Sequence, residues 1–190
     1  MAKSIDVCEV YSATLALFRE RGFTGTTTRE IAARAGVNEV TLFRRFGSKA
    51  ALMQAAIGDA IADAPFGQVL PGDDPQADLC EVVRAYLATY EKYGGLVLTL
   101  FAQLPHHPEL SGVAPTLFRN MQNVAAIMAA HQLGGRIRAG DPGRFAVELI
   151  APLAVIGMMK EMGAGPGHKD FDVPDYVRTF LSGHGASASV

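Results

Sequence analysis

The sequence has no tryptophan and only two cysteines in 190 residues. Cys8 and Cys80 lie far apart with no metal-ligand neighbourhood, so neither a disulfide framework nor a zinc site fits; they read as buried thiols of a reducing compartment. No run of eighteen uncharged apolar residues occurs, and a membrane span is not expected. Asp6 and Glu9 interrupt the N-terminal apolar residues, which removes a signal peptide and leaves a chain expected to stay in the cytoplasm. Paired carboxylates, nucleophile–base spacings and a phosphate-cradling glycine loop are also missing, so no enzymatic role and no cofactor are expected. His106-His107 beside Glu109 sits between Pro105 and Pro108. Adjacent histidines point roughly 100° apart on a helix, and these fall in a turn, so no metal is assigned to them. An excess of positive charge is lacking too: the net charge is -2, which alone argues against a nucleic-acid partner.

Alternating strand patterns are essentially absent, whereas three- and four-residue apolar steps recur throughout, which predicts an all-α chain of some nine helices. Val7, Val10, Tyr11, Thr14, Leu17 and Phe18 define a first helix over about residues 5–21, closed by Gly22. Thr27 caps a short helix, with Glu30 three residues later completing a capping box. Gly36 permits a tight turn, Val37 plugs it, and Asn38 caps a helix that runs to Phe46. A fourth helix starts at Ser48. The turn formers from Ala64 to Pro75 mark a boundary. Beyond it a helix is expected to stop at Gly94-Gly95, followed by a stretch buried on most sides over 96–104. Further helices span about 115–133, 142–162 (with a modest kink at Pro152) and 173–182. The domains so defined are residues 1–48, a connecting helix at 49–64, and a helical body at 65–190.

Two short helices joined by a glycine turn form a helix-turn-helix, whose second helix enters the major groove of DNA. The charge is distributed to match. Between Arg19 and Lys49 seven basic residues oppose three acidic ones, a net +4, so the remainder of the chain carries -6. A basic head on an acidic body suits a small DNA-reading module joined to something else.

Leu17-Phe18, Gly22-Phe23, Thr27, Ile31-Ala32, Ala35-Gly36-Val37, Thr41-Leu42-Phe43, Phe46, Ser48-Lys49 and Leu52 resemble, in type and spacing, the TetR family of bacterial transcriptional regulators over about residues 10–57. The resemblance implies a three-helix DNA-binding domain followed by a helical ligand-binding and dimerisation domain. The DNA-facing candidates are Thr27, Thr28, Arg29, Asn38, Glu39, Val40, Thr41, Phe43, Arg44, Arg45 and Lys49. Thr27 and Lys49 are expected to position the phosphate backbone, and Thr41 to meet a phosphate or a thymine methyl. Asn38 and Glu39 have base-reading capacity, although a helix cap is the plainer task for Asn38. Of the two arginines, Arg44 is the one expected to contact DNA. The chain departs from the family's commonest pattern at Val40 (often glycine), Phe43 (often tyrosine) and Arg44 (often histidine or tyrosine). Val40 thereby brings an apolar group that suits a thymine methyl.

The family's body binds a small molecule and forms a homodimer. Tyr86, Tyr90, Leu100, Phe101, Leu104, Phe118, Met121, Met128, Ile156 and Met158 supply flexible and aromatic lining for an apolar or aromatic effector. Thr99, Gln103, Asn120, Gln122 and Asn123 are polar hooks with no basis for choosing among them. The helices over 142–162 and 173–182 are expected to form the dimer interface through Phe145, Leu149, Leu153, Ile156, Met159, Tyr176, Val177, Phe180 and Leu181. The resulting expectation is a homodimeric repressor released from a palindromic operator when effector shifts the 74–93 helix against the 48–64 helix. An activator with the same DNA contacts, and a helical scaffold that reads no bases, are the alternatives.

Overall fold

A computed structural model describes residues 6–62, 64–165 and 171–185. Eight α-helices are present among them: α1 Val7–Arg21, α2 Thr28–Arg34, α3 Glu39–Phe46, α4 Lys49–Ala62, α5 Pro75–Gln103, α6 Ala114–Leu133, α7 Pro142–Glu161 and α8 Val173–His184. Short 3-10 turns lie at Pro65–Gly67 and Pro108–Val113. The fold is all-α; an isolated antiparallel bridge joins Ile137 to Gly185. The expected helix start at residue 5 and positions 166–170, between the expected helices over 142–162 and 173–182, lie outside the described residues.

The chain forms two compact units, Met1–Ala62 with Gly95–Thr116, and Asp63–Gly94 with Leu117–Val190. In the first, the Asp6 side chain caps α1 by accepting the Cys8 amide at 3.0 Å. Val10, Ala13 and Leu17 of α1 then bury against Ile31 and Ala32 of α2, Leu42 of α3 and Leu52 of α4. Helices of seven and eight residues such as α2 and α3 do not persist alone in water, so this shared core holds them. Cys8 lies exposed on the first turn of α1 while Cys80 is buried, which corrects the expectation of two buried thiols.

α5 runs through Gly94-Gly95 without a break, against the stop expected there. Glycine costs a helix only about 1 kcal/mol, and Gly94 here makes room for a neighbour. A Cβ on Gly94 would lie 2.7 Å from the Tyr90 ring, whereas Gly95 faces the Arg19 guanidinium. The stretch after them is amphipathic rather than enclosed: Leu96 and Leu100, one turn apart, are buried, but Phe101 is exposed.

The core of the second unit gathers Phe66, Leu79, Val82, Val83, Ile127, Met128, Phe145, Leu149, Leu153 and Val177. Asp141 caps α7 by accepting the Gly143 amide, with Pro142 in the first turn, and the helix continues past Pro152 to Glu161. α7 is long and apolar enough, by length and composition alone, to cross a membrane, with a third of that stretch buried in the protein. Its composition follows from two apolar faces, one in the core (Phe145, Leu149, Leu153) and one exposed (Val147, Val155, Met158). Deep in this unit, His131 is fully buried. Its Nδ1 accepts from Arg136 Nε at 3.0 Å, so the ring proton sits on Nε2, 2.8 Å from Asp78 Oδ2. The Gly72 amide donates to the same Asp78 oxygen at 2.6 Å. A buried carboxylate is tolerated when surrounded by donors in this way.

Candidate nucleic-acid interface

The interface is assembled by local chemistry from Gly22 onward. Gly22 ends α1 with φ 67°, a left-handed conformation that side chains disfavour, and Thr26 Oγ1 donates to its carbonyl at 2.8 Å. Thr27 Oγ1 accepts the Glu30 amide at 3.2 Å while Glu30 Oε2 accepts the Thr27 amide at 3.3 Å, the reciprocal capping box. The Thr27 hydroxyl, followed by Arg21, holds the Glu30 carboxyl below its ordinary range. α2 closes with the Ala35 amide on Ile31 and the Val37 amide on Ala32, turning at Gly36 with φ 65°. Asn38 Oδ1 then accepts the Val40 amide at 2.8 Å and starts α3.

With Leu42 wholly buried, α3 turns its opposite side outward, and Val40 and Phe43 are 72% and 47% exposed. Arg44 and Arg45 flank them in solvent. Arg45 packs its guanidinium 5.8 Å from the Phe46 ring, whereas Arg44 and Arg29 make no ion pair among the described residues. Arg21 and Arg34 are paired with Glu30 and Glu20. Thr41 is half-buried.

Four links in this region are not visible in the sequence. Thr28 Oγ1 donates to Glu39 Oε1 at 2.6 Å, joining α2 to α3. Lys49 donates to the carbonyls of Phe23 at 2.8 Å and Thr26 at 3.0 Å and lies 4.1 Å from the Phe23 ring centroid; burial pushes its ammonium pKa down. The loop it clamps is also held by Gln103, whose Oε1 accepts the Phe23 amide at 3.2 Å, and by His107, whose ring packs on Phe23 and meets the Thr24 hydroxyl. Spacing rules find caps and turns; they do not find partners eighty residues apart.

The effector candidates divide between the units. Leu100, Phe101 and Leu104 fall in the first and the other seven in the second. Leu100 and Met128 are fully buried, while Phe101, Phe118 and Met158 are exposed. Met121 and Ile156 are half-buried. The aromatic group that does form is Phe66–Tyr86–Tyr90, with centroids 5.2 and 6.2 Å apart, and burial raises the Tyr86 hydroxyl pKa strongly. Tyr90 lies so close to α7 that a Cβ on Gly157 would stand 2.3 Å from its ring. Three of the polar hooks already bond to the chain itself: Gln103 as above, Thr99 to Gly95 O, and Asn123 to Gly67 O.

The dimer candidates divide as well. Phe145, Leu149, Leu153 and Val177 are buried in the core of their own unit and have no surface to give a second copy. Tyr176 packs against that core and donates its hydroxyl to Leu149 O at 2.6 Å, its pKa pushed up to about 12 by burial. Phe180 stacks on His184, and Leu181 is half-buried beside the core. Ile156 is half-buried and Met159 exposed.

Residues 10–56 match the family model described as bacterial regulatory proteins, tetR family. The chain is 30% identical over 135 residues to the uncharacterized HTH-type transcriptional regulator MT2310 of Mycobacterium tuberculosis, covering 68% of each chain. It is 27% identical over 111 residues to the HTH-type transcriptional repressor BdcR of Escherichia coli, spanning only 56% of that protein's length. Among solved structures, the flavonoid-responsive regulator FrrA superposes with a TM-score of 0.73 at 22% identity, covering 96% of this chain and 98% of that one. A transcriptional regulator from Rhodococcus sp. RHA1 superposes with a TM-score of 0.69 at 18% identity, covering 94% and 97%.

Proposed function

Because the chain belongs to the TetR family of bacterial regulatory proteins, we propose that it is a sequence-specific DNA-binding transcriptional regulator of the cytoplasm. It acts as a homodimer that represses from a palindromic operator and leaves it when an apolar or aromatic small molecule binds the second unit. The observation that carries this reading is α3, which buries Leu42 and presents Val40, Phe43 and Arg44 to solvent. Arg44 on α3 and Arg29 on α2 meet phosphates or base edges, with Thr27, Thr41 and the remaining Lys49 N–H at the margin.

An eight-residue helix is about 12 Å long and spans only a few base pairs. Specific binding therefore calls for a second copy related by two-fold symmetry. In support, the outer face of α7 carries Val147, Val155 and Met158 at helical steps, with Met162 just past its end, all exposed in the single chain. A self-complementary apolar stripe of this kind suits an isologous interface. The Phe66–Tyr86–Tyr90 cluster supports an aromatic or apolar effector, and linkage requires operator and effector to weaken each other's binding equally.

Selection of bound duplexes from a random pool, with a salt titration on the winner, tests the proposal. An enriched palindrome with salt-sensitive affinity is expected. Weak binding that ignores sequence would sink it.

A further inference from the structure

The leading end of α3 is where a groove-bound helix meets base edges, and most of its side chains are already engaged. Asn38 Oδ1 holds the Val40 amide and Glu39 Oε1 holds the Thr28 hydroxyl. Thr41 is half-buried. Val40, 72% exposed, is the side chain left pointing outward, and Phe43, one turn on and 47% exposed, shares its face. The leading end thus presents a hydrocarbon surface beside the Nδ2 amide of exposed Asn38 and the second carboxylate oxygen of Glu39.

The surroundings select the occupant. Arg44 and Arg45 are exposed on the same short helix, a setting that favours a polyanion over an apolar protein face. Base edges in the major groove offer donors, acceptors and one apolar group, the 5-methyl of thymine. We propose that Val40, with Phe43 extending the same surface, is a specificity-determining residue that reads a thymine in each half-site through its methyl group. The inference rests on the DNA-reading function above and adds what the helix reads.

The test uses the duplex enriched by selection, with each thymine replaced in turn by deoxyuridine, which lacks only that methyl. At one position the wild-type protein loses about fourfold in affinity per methyl removed, or about fifteenfold when both half-sites are changed. Val40→Ala, a change at an exposed site that does not disturb the core, becomes indifferent to deoxyuridine there while keeping the salt dependence of the wild type. Two results overturn the inference and leave the DNA-reading function intact: equal wild-type affinity for every deoxyuridine duplex, or an undiminished deoxyuridine loss in Val40→Ala. Failure to enrich any duplex defeats both together.

Discussion

The Thr28 hydroxyl donates to the Glu39 carboxylate across 2.6 Å, so the first residue of the first short helix is tied to the first residue of the second. The bond links the starts of the two helices and engages one of the two Glu39 carboxylate oxygens. Thr28→Val breaks it while keeping the side-chain shape. The variant is expected to lose about 1 kcal/mol of stability in urea unfolding and several-fold in DNA affinity. Undiminished affinity would mean that the tie does not set the helix.

The capping box predicts a pH dependence. Glu30 has its pKa lowered, first by Thr27, so its contribution is full above the ordinary carboxylate range and disappears as pH falls through the lower folded value. Thr27→Ala should lower Tm by a few degrees near pH 7. The gap between the two proteins should narrow as the pH approaches 3, and thermal melts at pH 7, 5 and 3 measure it.

In the second unit, a methyl on Gly157 would press 2.3 Å from the Tyr90 ring. Gly157→Ala must displace that ring, at about 1–3 kcal/mol. With no tryptophan and five tyrosines in the chain, tyrosine emission compared with that of a Tyr90→Phe reference reports the displacement. Unchanged emission and stability would contradict the close packing.

His131→Ala leaves the Asp78 carboxylate with one N–H partner, from Gly72, in place of two. Removing one of the donors to a buried carboxylate costs about 1–3 kcal/mol. The loss should appear in unfolding of the second unit, whereas DNA affinity of the folded variant should stay within about twofold, because α3 belongs to the other unit.

What the sequence discloses is what is local. Thr27, Gly36 and Asn38 act within four residues of themselves, and their caps and turn stand where spacing puts them. Gly94-Gly95 misleads because propensity is a weak local term, and the Tyr90 ring needs the space of Gly94. Apolar periodicity marks Phe145, Leu149 and Val177 as facing something, but it is silent on whether that something is their own core or a second copy. The clamp of Gln103, His107 and Lys49 on Phe23 joins residues far apart in the chain, beyond the reach of spacing rules.

The most direct test of the central claim compares wild type with Arg44→Ala on the enriched duplex and on a scrambled duplex of equal length, across a salt series. Arg44 is exposed and its loss leaves the core untouched. Arg44→Ala should bind the enriched duplex at least tenfold more weakly, or with a salt slope smaller by about one if the arginine meets phosphate. Equal affinity and equal salt slope for the two proteins on the enriched duplex would contradict α3 as the reading helix.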